Sequence, residues 1–300
     1  MSSCNHIKMI PDCPNNICKA QKSSLLIQKD GFYFRSSDSK KVLRFRCSGC
    51  GKRFSSATFS VNYRQNKRRV NPILKKLLSS GVSMRRCALI LNITRTTVKR
   101  KVIFLGNDAQ TSHKLFLNKL TKNKIKHIQF DDLITLEHTK MKPLSVSMAV
   151  DGKTRHILGF EVSQIPAFGH LAKKSVEKYG YRKSNHKDSL EKLFENIKTV
   201  VDPYAVIRSD QHKLYPQFVK RYFPNSTYYT YQSARGCVAG QGELKRLKFD
   251  PLYSINHTFA MLRANINRLV RKTWCTTKNP QMLKHHIQIY IEFHNNILIK

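Results

Sequence analysis

Four cysteines in two close pairs have the residue type and the spacing of a metal site. Cys13 and Cys18 are separated by four residues, and Cys47 and Cys50 are separated by two. Zn²⁺ takes four ligands in a tetrahedron, and two such pairs on facing turns would supply them as thiolates. The spacing predicts a structural Zn²⁺ site formed by all four cysteines. The alternative is a set of buried thiols whose spacing is accidental.

The residues between the two pairs are expected to place them on facing turns. Gly31–Arg35 and Val42–Arg46 alternate in polarity as the arms of a β-hairpin do. Glycines in the second pair let the backbone fold tightly, so that amides can point at the thiolates. Cys4 and His6 remain possible substitutes for Cys13 as the fourth ligand.

Two aspartates, each at the end of an apolar segment, are the second set of residues with a chemical role to predict. Asp131 follows His127–Phe130, and Asp210 follows Tyr204–Ser209. Two carboxylates close together repel each other, and both ionise only when a cation lies between them. Mg²⁺, or Mn²⁺ in its place, fits such a pair because it prefers oxygen ligands and needs few from the protein. Strand-end aspartates that merely cap loops are the alternative.

The order of the predicted elements indicates how these aspartates would meet. Three strands, a helix, a strand, a helix, a strand and closing helices is the order of the RNase H-like fold, in which the first and fourth strands are neighbours. The predicted fold class is therefore multidomain α+β, with a C-terminal α/β RNase H-like domain on a mixed sheet. After the strand that leads into Asp131, the expected elements are strands at Leu144–Val150 and His156–Val162, a helix at Ser189–Val200, the strand ending at Asp210, a helix at Leu214–Tyr222, a strand at Thr227–Tyr231, a long helix from Leu252 to about Trp274 and a last helix near Met282–His294.

A basic helical segment, Val61–Gly106, precedes this region and contains twelve Lys or Arg residues and no acid. Helices are expected at Pro72–Ser80 and Met84–Leu91, and a third follows Thr94. Ser83 and Thr94 are the expected N-caps of the second and third helices. A short helix, a tight turn and a polar, basic helix predict a helix-turn-helix whose last helix enters the major groove of DNA.

The predicted DNA contacts form two groups, one that would reach base edges and one that would reach phosphates. Residues at the start of the third helix would face base edges, and the other basic residues would bind phosphates. The first group is Arg95, Thr96 and Thr97, and the second is Lys99, Arg100, Lys101 and, on the C-terminal helix, Arg263.

The charge balance supports a polyanionic partner. The chain of 300 residues carries 55 Lys and Arg against 18 Asp and Glu, a formal net charge of +37. Nucleic acid is the first candidate, and an anionic membrane surface the second. No run of about 18 apolar residues would span a bilayer, and the first ten residues lack the apolar core of a signal peptide. A reducing cytoplasm is therefore expected, where cysteines act as metal ligands or buried thiols.

Two segments carry a resemblance to a known family. Arg44–Ser55 is similar to the zinc-ribbon end of bacterial insertion-element proteins, and Arg263–Trp274 resembles the C-terminal helix of DDE-type transposases. The resemblance implies Mg²⁺-dependent cleavage at the ends of an insertion element in the bacterial cytoplasm, and joining of the freed 3′ hydroxyl to double-stranded target DNA. It also implies a homodimer or larger synaptic assembly, with Asp131 and Asp210 as the first two metal ligands.

The third ligand position departs from the family pattern. It falls on Asn256, where the pattern usually has Glu. An amide oxygen can ligate Mg²⁺, although without a charge it holds the ion more weakly. Glu243, which follows Gly240 and Gly242 and lies 33 residues after Asp210, is the alternate third ligand.

The predicted division of the chain is a zinc ribbon at 1–60, a helix-turn-helix at 61–106, a linker at 107–126 and an RNase H-like transposase domain at 127–300. Two other functions stay open. One is a catalytically inactive or domesticated DNA-binding protein or transcription regulator, which Asn256 in place of an acid would suit. The other is a related RNase H-like nuclease or resolvase that acts on structured DNA.

Overall fold

The computed structural model of the protein describes residues 10–19, 26–232, 250–270 and 275–299. The chain divides into two compact units, residues 1–73 and 74–300. This division differs from the predicted domains, because the basic helices after residue 74 belong to the same unit as the large sheet. Leu74 and Leu78 share a buried cluster with Met282 and Ile289 near the C-terminus. Burial of these apolar side chains holds the predicted DNA-binding helices in the second unit.

The first unit is built on a three-stranded antiparallel sheet in the order β1-β2-β3. Its strands are β1 (Ile27–Arg35), β2 (Lys40–Cys47) and β3 (Arg53–Ser55). The predicted hairpin arms lie within β1 and β2, so that prediction is confirmed. The rings of Phe45 and Phe54 stack with their centroids 5.5 Å apart and form a small core with three of the cysteines.

Three helices follow: α1 (Asn71–Leu78), α2 (Met84–Ile90) and α3 (Arg95–Leu120). Both predicted N-caps are confirmed. Ser83 Oγ accepts from the Arg86 N–H at 3.3 Å, and Thr94 Oγ1 accepts from the Thr97 N–H at 3.2 Å. Each hydroxyl thereby satisfies an amide that has no partner within its helix.

Helix α3 extends well beyond the predicted helix-turn-helix. It is 26 residues long, so the segment expected to be a linker at 107–126 is helical through Leu120. Val98, Val102, Leu105 and Ala109 recur at helical spacing and are buried, which gives the helix one continuous apolar face. The segment after Gly106 is largely polar, so its sequence did not indicate that the helix continues.

A mixed five-stranded sheet forms the centre of the second unit, in the order β6-β5-β4-β7-β8. Strands β4, β5 and β6 are joined antiparallel in sequence, whereas β7 and β8 run parallel to β4. The first and fourth strands of this unit are therefore neighbours, as predicted. The strands are β4 (Ile125–Glu137), β5 (Thr139–Asp151), β6 (Ile157–Gln164), β7 (Val201–Asp210) and β8 (Thr227–Tyr231).

Helices cover both faces of this sheet. On one face α5 and α6 pack against Ile128 and Phe130, and on the other face α7 and α8 pack against Leu133. Alternation along β4 produces the two faces, because successive side chains of a strand point to opposite sides. The helices after α3 are α4 (Ala172–Tyr179), α5 (His186–Ile197), α6 (Tyr215–Tyr222), α7 (Tyr253–Asn265) and α8 (Pro280–Phe293).

The long helix expected from Leu252 to about Trp274 is shorter than predicted. Helix α7 ends at Asn265, Ile266 adopts an extended conformation, and a 3₁₀ turn follows at Asn267–Leu269. Ile266 is fully buried in the core between α7, α8 and the sheet.

Across the described residues, the helices are either too short or too polar to cross a lipid bilayer. Helix α3, the longest of these helices, has a basic and largely polar outer surface.

Candidate functional sites

The four cysteines predicted to act together do form one group in the first unit. Sγ of Cys13 lies 3.6 Å from Sγ of Cys50, and Sγ of Cys18 lies 3.7 Å from Sγ of Cys47. All four sulfur atoms are within 4.8 Å of one another. A tetrahedron with Zn–S bonds of about 2.3 Å has edges of about 3.8 Å. The group therefore fits a metal ion such as Zn²⁺.

The backbone around the second pair explains how the sulfur atoms come together. The Gly51 N–H donates to the Cys47 carbonyl at 2.8 Å, and Gly51 has a φ of +71°, which an L-residue rarely adopts. This tight turn allows the Lys52 N–H to donate to Cys50, which lowers the pKa of that thiol to about 6. Burial instead raises the pKa of Cys13 to about 12. Cys4 and His6, the alternative ligands, lie outside the described residues.

Asp131, which was expected at a strand end, lies midway along β4, level with Asp210, the last residue of β7. Gln129 on β4 pairs with Arg208 on the parallel strand β7. Two residues further along, the same register places Asp131 level with Asp210, and both side chains point to the face of Gln129 and Arg208. Adjacent strands are about 4.8 Å apart, so the two carboxylates are within reach of one cation. The sheet thus brings together residues 79 positions apart in the sequence.

The electrostatics of this pair agree with its geometry. Burial, and then the charge of Asp210, raise the pKa of Asp131 to about 7. Burial also raises the pKa of Asp210, although the His212 N–H, which donates to its Oδ1 at 3.1 Å, acts in the opposite direction. The charge of Asp210 disfavours ionisation of Asp131, and the charge of Asp132 disfavours ionisation of Asp210, so a divalent cation would stabilise the ionised carboxylates.

Asp132, the second acid of the pair on β4, points to the opposite face from Asp131. Its Oδ2 lies 2.7 Å from Nε2 of His186, the first residue of α5, and its Oδ1 accepts from the Ser147 hydroxyl. Burial favours a raised pKa, but the contacts with His186 and Ser147 outweigh it and lower the pKa of Asp132. Asp132, His186 and His212 place one ligand atom each within 4.8 Å of one another.

Sequence reasoning missed this second cluster. Only the adjacent acids at 131 and 132 gave a signal, since consecutive strand residues must serve opposite faces. Nothing in the spacing of His186 and His212 indicated that they would meet Asp132, because they come from the start of α5 and from the connection after β7.

Of the two candidates for the third position of the aspartate site, Asn256 is among the described residues. Asn256 lies in the first turn of α7, where it is exposed, and its Nδ2 donates to Asp250 Oδ2 at 2.9 Å. The start of α7 is held near β4 by Gln129, whose side chain bonds both Pro251 and Ile255. Glu243, the alternate ligand, lies outside the described residues.

Arg263 on α7 was predicted to bind DNA phosphates, and the structure associates it with the aspartate site. It is half-buried, and its positive charge acts to lower the pKa of Asp131. It lies seven residues after Asn256, two helical turns along the same face of α7. A cation at this position would also attract an anionic substrate to the carboxylates.

The N-terminal end of α3 carries most of the predicted DNA contacts on its surface. Arg95, Thr96, Lys99 and Arg100 are exposed, and Thr97 is half-buried because it contributes to the Thr94 cap.

Lys101 differs from the prediction that it reaches phosphate. It is 5% exposed, and burial lowers its pKa. The helical period explains the difference, since residue 101 falls on the buried face next to Val98 and Val102, where a side chain cannot bind DNA that lies across the outer face.

The comparisons with known proteins leave the site to be interpreted from its own chemistry. A scan against protein-family models finds no family that matches the chain. A search of curated proteins likewise finds no match.

Proposed function

We propose that the protein is a transposase that binds the ends of an insertion element and catalyses metal-dependent cleavage and strand transfer of DNA. The observation that carries this proposal is the alignment of Asp131 and Asp210 on neighbouring parallel strands, on one face of the sheet and beside the end of β7. Carboxylates in this arrangement suit a divalent cation that acts on phosphodiesters.

The topology around the pair supports the proposal. The order β6-β5-β4-β7-β8, with the first three strands antiparallel and the last two parallel to β4, is the strand order expected of an RNase H-like domain. Helices on both faces complete the α/β arrangement. A fold can host unrelated functions, so catalysis would depend on the carboxylates and not on the topology.

The residues of the proposed catalytic site would divide the work as follows. Asp131 and Asp210 would hold Mg²⁺ or Mn²⁺, with the Asn256 amide oxygen or Glu243 as the third ligand. When bound, the ion would stabilise the charge that develops on the phosphate and on the attacking oxygen. Arg263, beside Asp131, would hold the DNA phosphate near the carboxylates through its positive charge.

The DNA-binding part of the proposal uses two further features. The exposed start of α3, preceded by the capped turn at Thr94, has the form of a recognition helix that enters the major groove. The four-cysteine group would hold Zn²⁺ as a structural ion and make the first unit a zinc ribbon. A net charge of +37 favours binding to the DNA backbone. Synapsis of two element ends would require a homodimer or a larger assembly.

A strand-transfer assay tests this proposal. Duplex oligonucleotides carrying the sequences that flank the reading frame are incubated with the protein and Mg²⁺ or Mn²⁺, and nicked and joined products are resolved. We expect Asp131→Asn and Asp210→Asn to lose activity by at least about a thousandfold while they retain DNA affinity. Asp188→Asn, an exposed acid on α5, is the matched control and should remain active. Full activity in either site variant would refute the catalytic assignment.

A catalytically inactive DNA-binding protein is the second candidate. Asn256 donates to Asp250, and the positive charge of Arg263 already acts on Asp131, so the pair has a cation beside it without a metal. Calorimetry with Mg²⁺ separates the candidates. Tight DNA binding without any Mg²⁺ site that depends on Asp131 would favour the inactive protein.

A further inference from the structure

We infer that Asp132, His186 and His212 form a binding site for a transition-metal ion of the Zn²⁺ class. This site would be separate from the four-cysteine group and from the carboxylate pair of Asp131 and Asp210. Its three ligand atoms lie within 4.8 Å of one another. The inference concerns metal binding alone, so it does not rest on the proposed transposase activity.

Three separate segments meet at this cluster. Asp132 lies just past the middle of β4, His186 is the first residue of α5, and His212 follows β7. All three lie where β7 ends beside the middle of β4, and the carboxyl ends of parallel strands are where α/β sheets bind ligands. Asp132 points to the face covered by α5 and α6, whereas Asp131 points to the face covered by α7. One edge of the sheet would therefore carry two sites of different chemistry.

The donor set distinguishes the cluster from a magnesium site. Two imidazoles and one carboxylate are typical ligands of Zn²⁺, Fe²⁺ and related ions, and they leave further positions open for water. Mg²⁺ prefers oxygen ligands only. The side chains of Asp132 and His186 are 10% and 8% exposed, so an ion here would be largely protected from solvent.

His186 and Asp132 are close enough to share an ion after a small movement. Nε2 of His186 lies 2.7 Å from Oδ2 of Asp132, a separation that also suits an ion pair between the imidazole and the carboxylate. Ligand atoms about 2.1 Å from a tetrahedral ion are about 3.4 Å apart. A shared ion would therefore replace the direct contact and move the two atoms apart by less than about 1 Å.

Tyr215 on α6 lies beside the cluster and contacts the carboxylate of Asp132. Its side chain is fully buried, and burial, the charge of Asp132 and the side-chain contact with Asp132 raise the pKa of its phenol. The neutral phenol thereby holds the carboxylate of Asp132 in place on the face covered by α5 and α6.

Counting bound metal in the 300-residue chain tests the inference. Zn²⁺ or Co²⁺ alone is titrated in competition with a chromophoric chelator, and the content is measured by mass spectrometry. We expect two ions per chain in the wild type and one in His212→Ala, whose site should lose at least about tenfold in affinity. His156→Ala, a half-buried histidine on the β5–β6 hairpin, is the matched control and should retain two. Asp131→Asn should also retain two.

Co²⁺ identifies which site is filled. The four-cysteine group gives an intense sulfur-to-cobalt charge-transfer absorption, and a site of nitrogen and oxygen ligands lacks it. The variant should lose only the second kind of signal. His186→Gln is a second variant. If this substitution at a buried residue prevents folding, His212→Ala still tests the site, because His212 lies outside the helices and strands.

A single ion per wild-type chain, all of it bound to thiolates, would overturn the inference and leave a histidine–carboxylate pair that anchors α5 to β4. Retention of the second ion in His212→Ala would overturn it as well. Neither result depends on DNA cleavage, so failure of this inference can be distinguished from failure of the proposed function.

Discussion

Asp131→Asn should stabilise the second unit in the absence of divalent cations while it abolishes the proposed activity. Asn keeps the oxygen that accepts from the Asp132 N–H at 2.7 Å, and it removes the charge that burial and Asp210 disfavour. A functional site often carries such a cost, because a charge held for catalysis is unfavourable in the ligand-free fold. The substitution therefore distinguishes an aspartate that belongs to a cation site from an ordinary aspartate on a strand.

The magnitude follows from the pKa of Asp131. Its value rises from 3.8 to about 7 on folding, so the folded state binds the proton more tightly than the unfolded state. The destabilisation is absent below pH 3.8, grows as pH rises, and is complete above about pH 7. At about 1.4 kcal/mol for each pKa unit, the full cost is about 4 kcal/mol at pH 8 and about 2 kcal/mol at pH 5.5. The free energy of unfolding of Asp131→Asn, relative to the wild type, should therefore be about 2 kcal/mol more favourable at pH 8 than at pH 5.5.

Urea unfolding followed by circular dichroism measures this advantage in Zn²⁺-loaded protein without added Mg²⁺. Glu177→Gln, which removes an exposed acid on α4, is the control and should show no growth of its effect with pH. Mg²⁺ at about ten times its Kd should stabilise the wild type by about 1.4 kcal/mol and leave Asp131→Asn unchanged.

If the difference in free energy of unfolding between Asp131→Asn and the wild type is the same at both pH values, the electrostatic reasoning is refuted, because the charge then carries no folding cost. A stabilisation by Mg²⁺ that is equal in the wild type and the variant would place the bound ion elsewhere.

Three further predictions concern other parts of the molecule. Cys50→Ser should release the metal of the four-cysteine group and make the first unit sensitive to limited proteolysis, and a variant that keeps its zinc by mass spectrometry would contradict the assignment of this ligand. Arg95→Ala should weaken binding to cognate DNA by about 5- to 100-fold. Lys101→Met changes a buried residue and should leave the DNA affinity and its salt dependence unchanged. Fluorescence anisotropy at several salt concentrations measures both variants, and a shallower salt slope in Lys101→Met would show that this residue reaches phosphate. Gly106→Ala should destabilise the second unit by about 1–3 kcal/mol in urea unfolding, because the added Cβ would lie 2.6 Å from Cβ of His285, and unchanged stability would mean that α3 and α8 can separate easily.

Local patterns in the sequence predicted the elements that depend on near neighbours. The strand at Thr227–Tyr231 has the predicted bounds, and the caps at Ser83 and Thr94 form as expected. A strand's alternation and a helix's cap depend on residues only a few positions apart, so the sequence alone contains the physical cause. The grouping of the four cysteines was predictable for a similar reason, because few arrangements of two close pairs satisfy one tetrahedral ion.

Long-range packing decided the features that the sequence did not contain. Helix α3 continues to Leu120 because Leu117 and Leu120 pack against the buried cluster between the large sheet, α5 and α6, and a polar segment by itself gave no sign of that partner. Lys101 is buried on the inner face of the same helix.

The two sites at the edge of the large sheet show this division most clearly. Sequence identified Asp131 and Asp210 as candidates, but only the parallel register of β4 and β7 places them level and on one face. Asp132 meets His186 and His212 because the pleat turns it to the opposite side, toward segments that are distant in the chain. Residue types determined which chemistry was available to this protein. Pairing of the strands and burial of the helices decided which residues share a site, because these depend on contacts between residues far apart in the sequence.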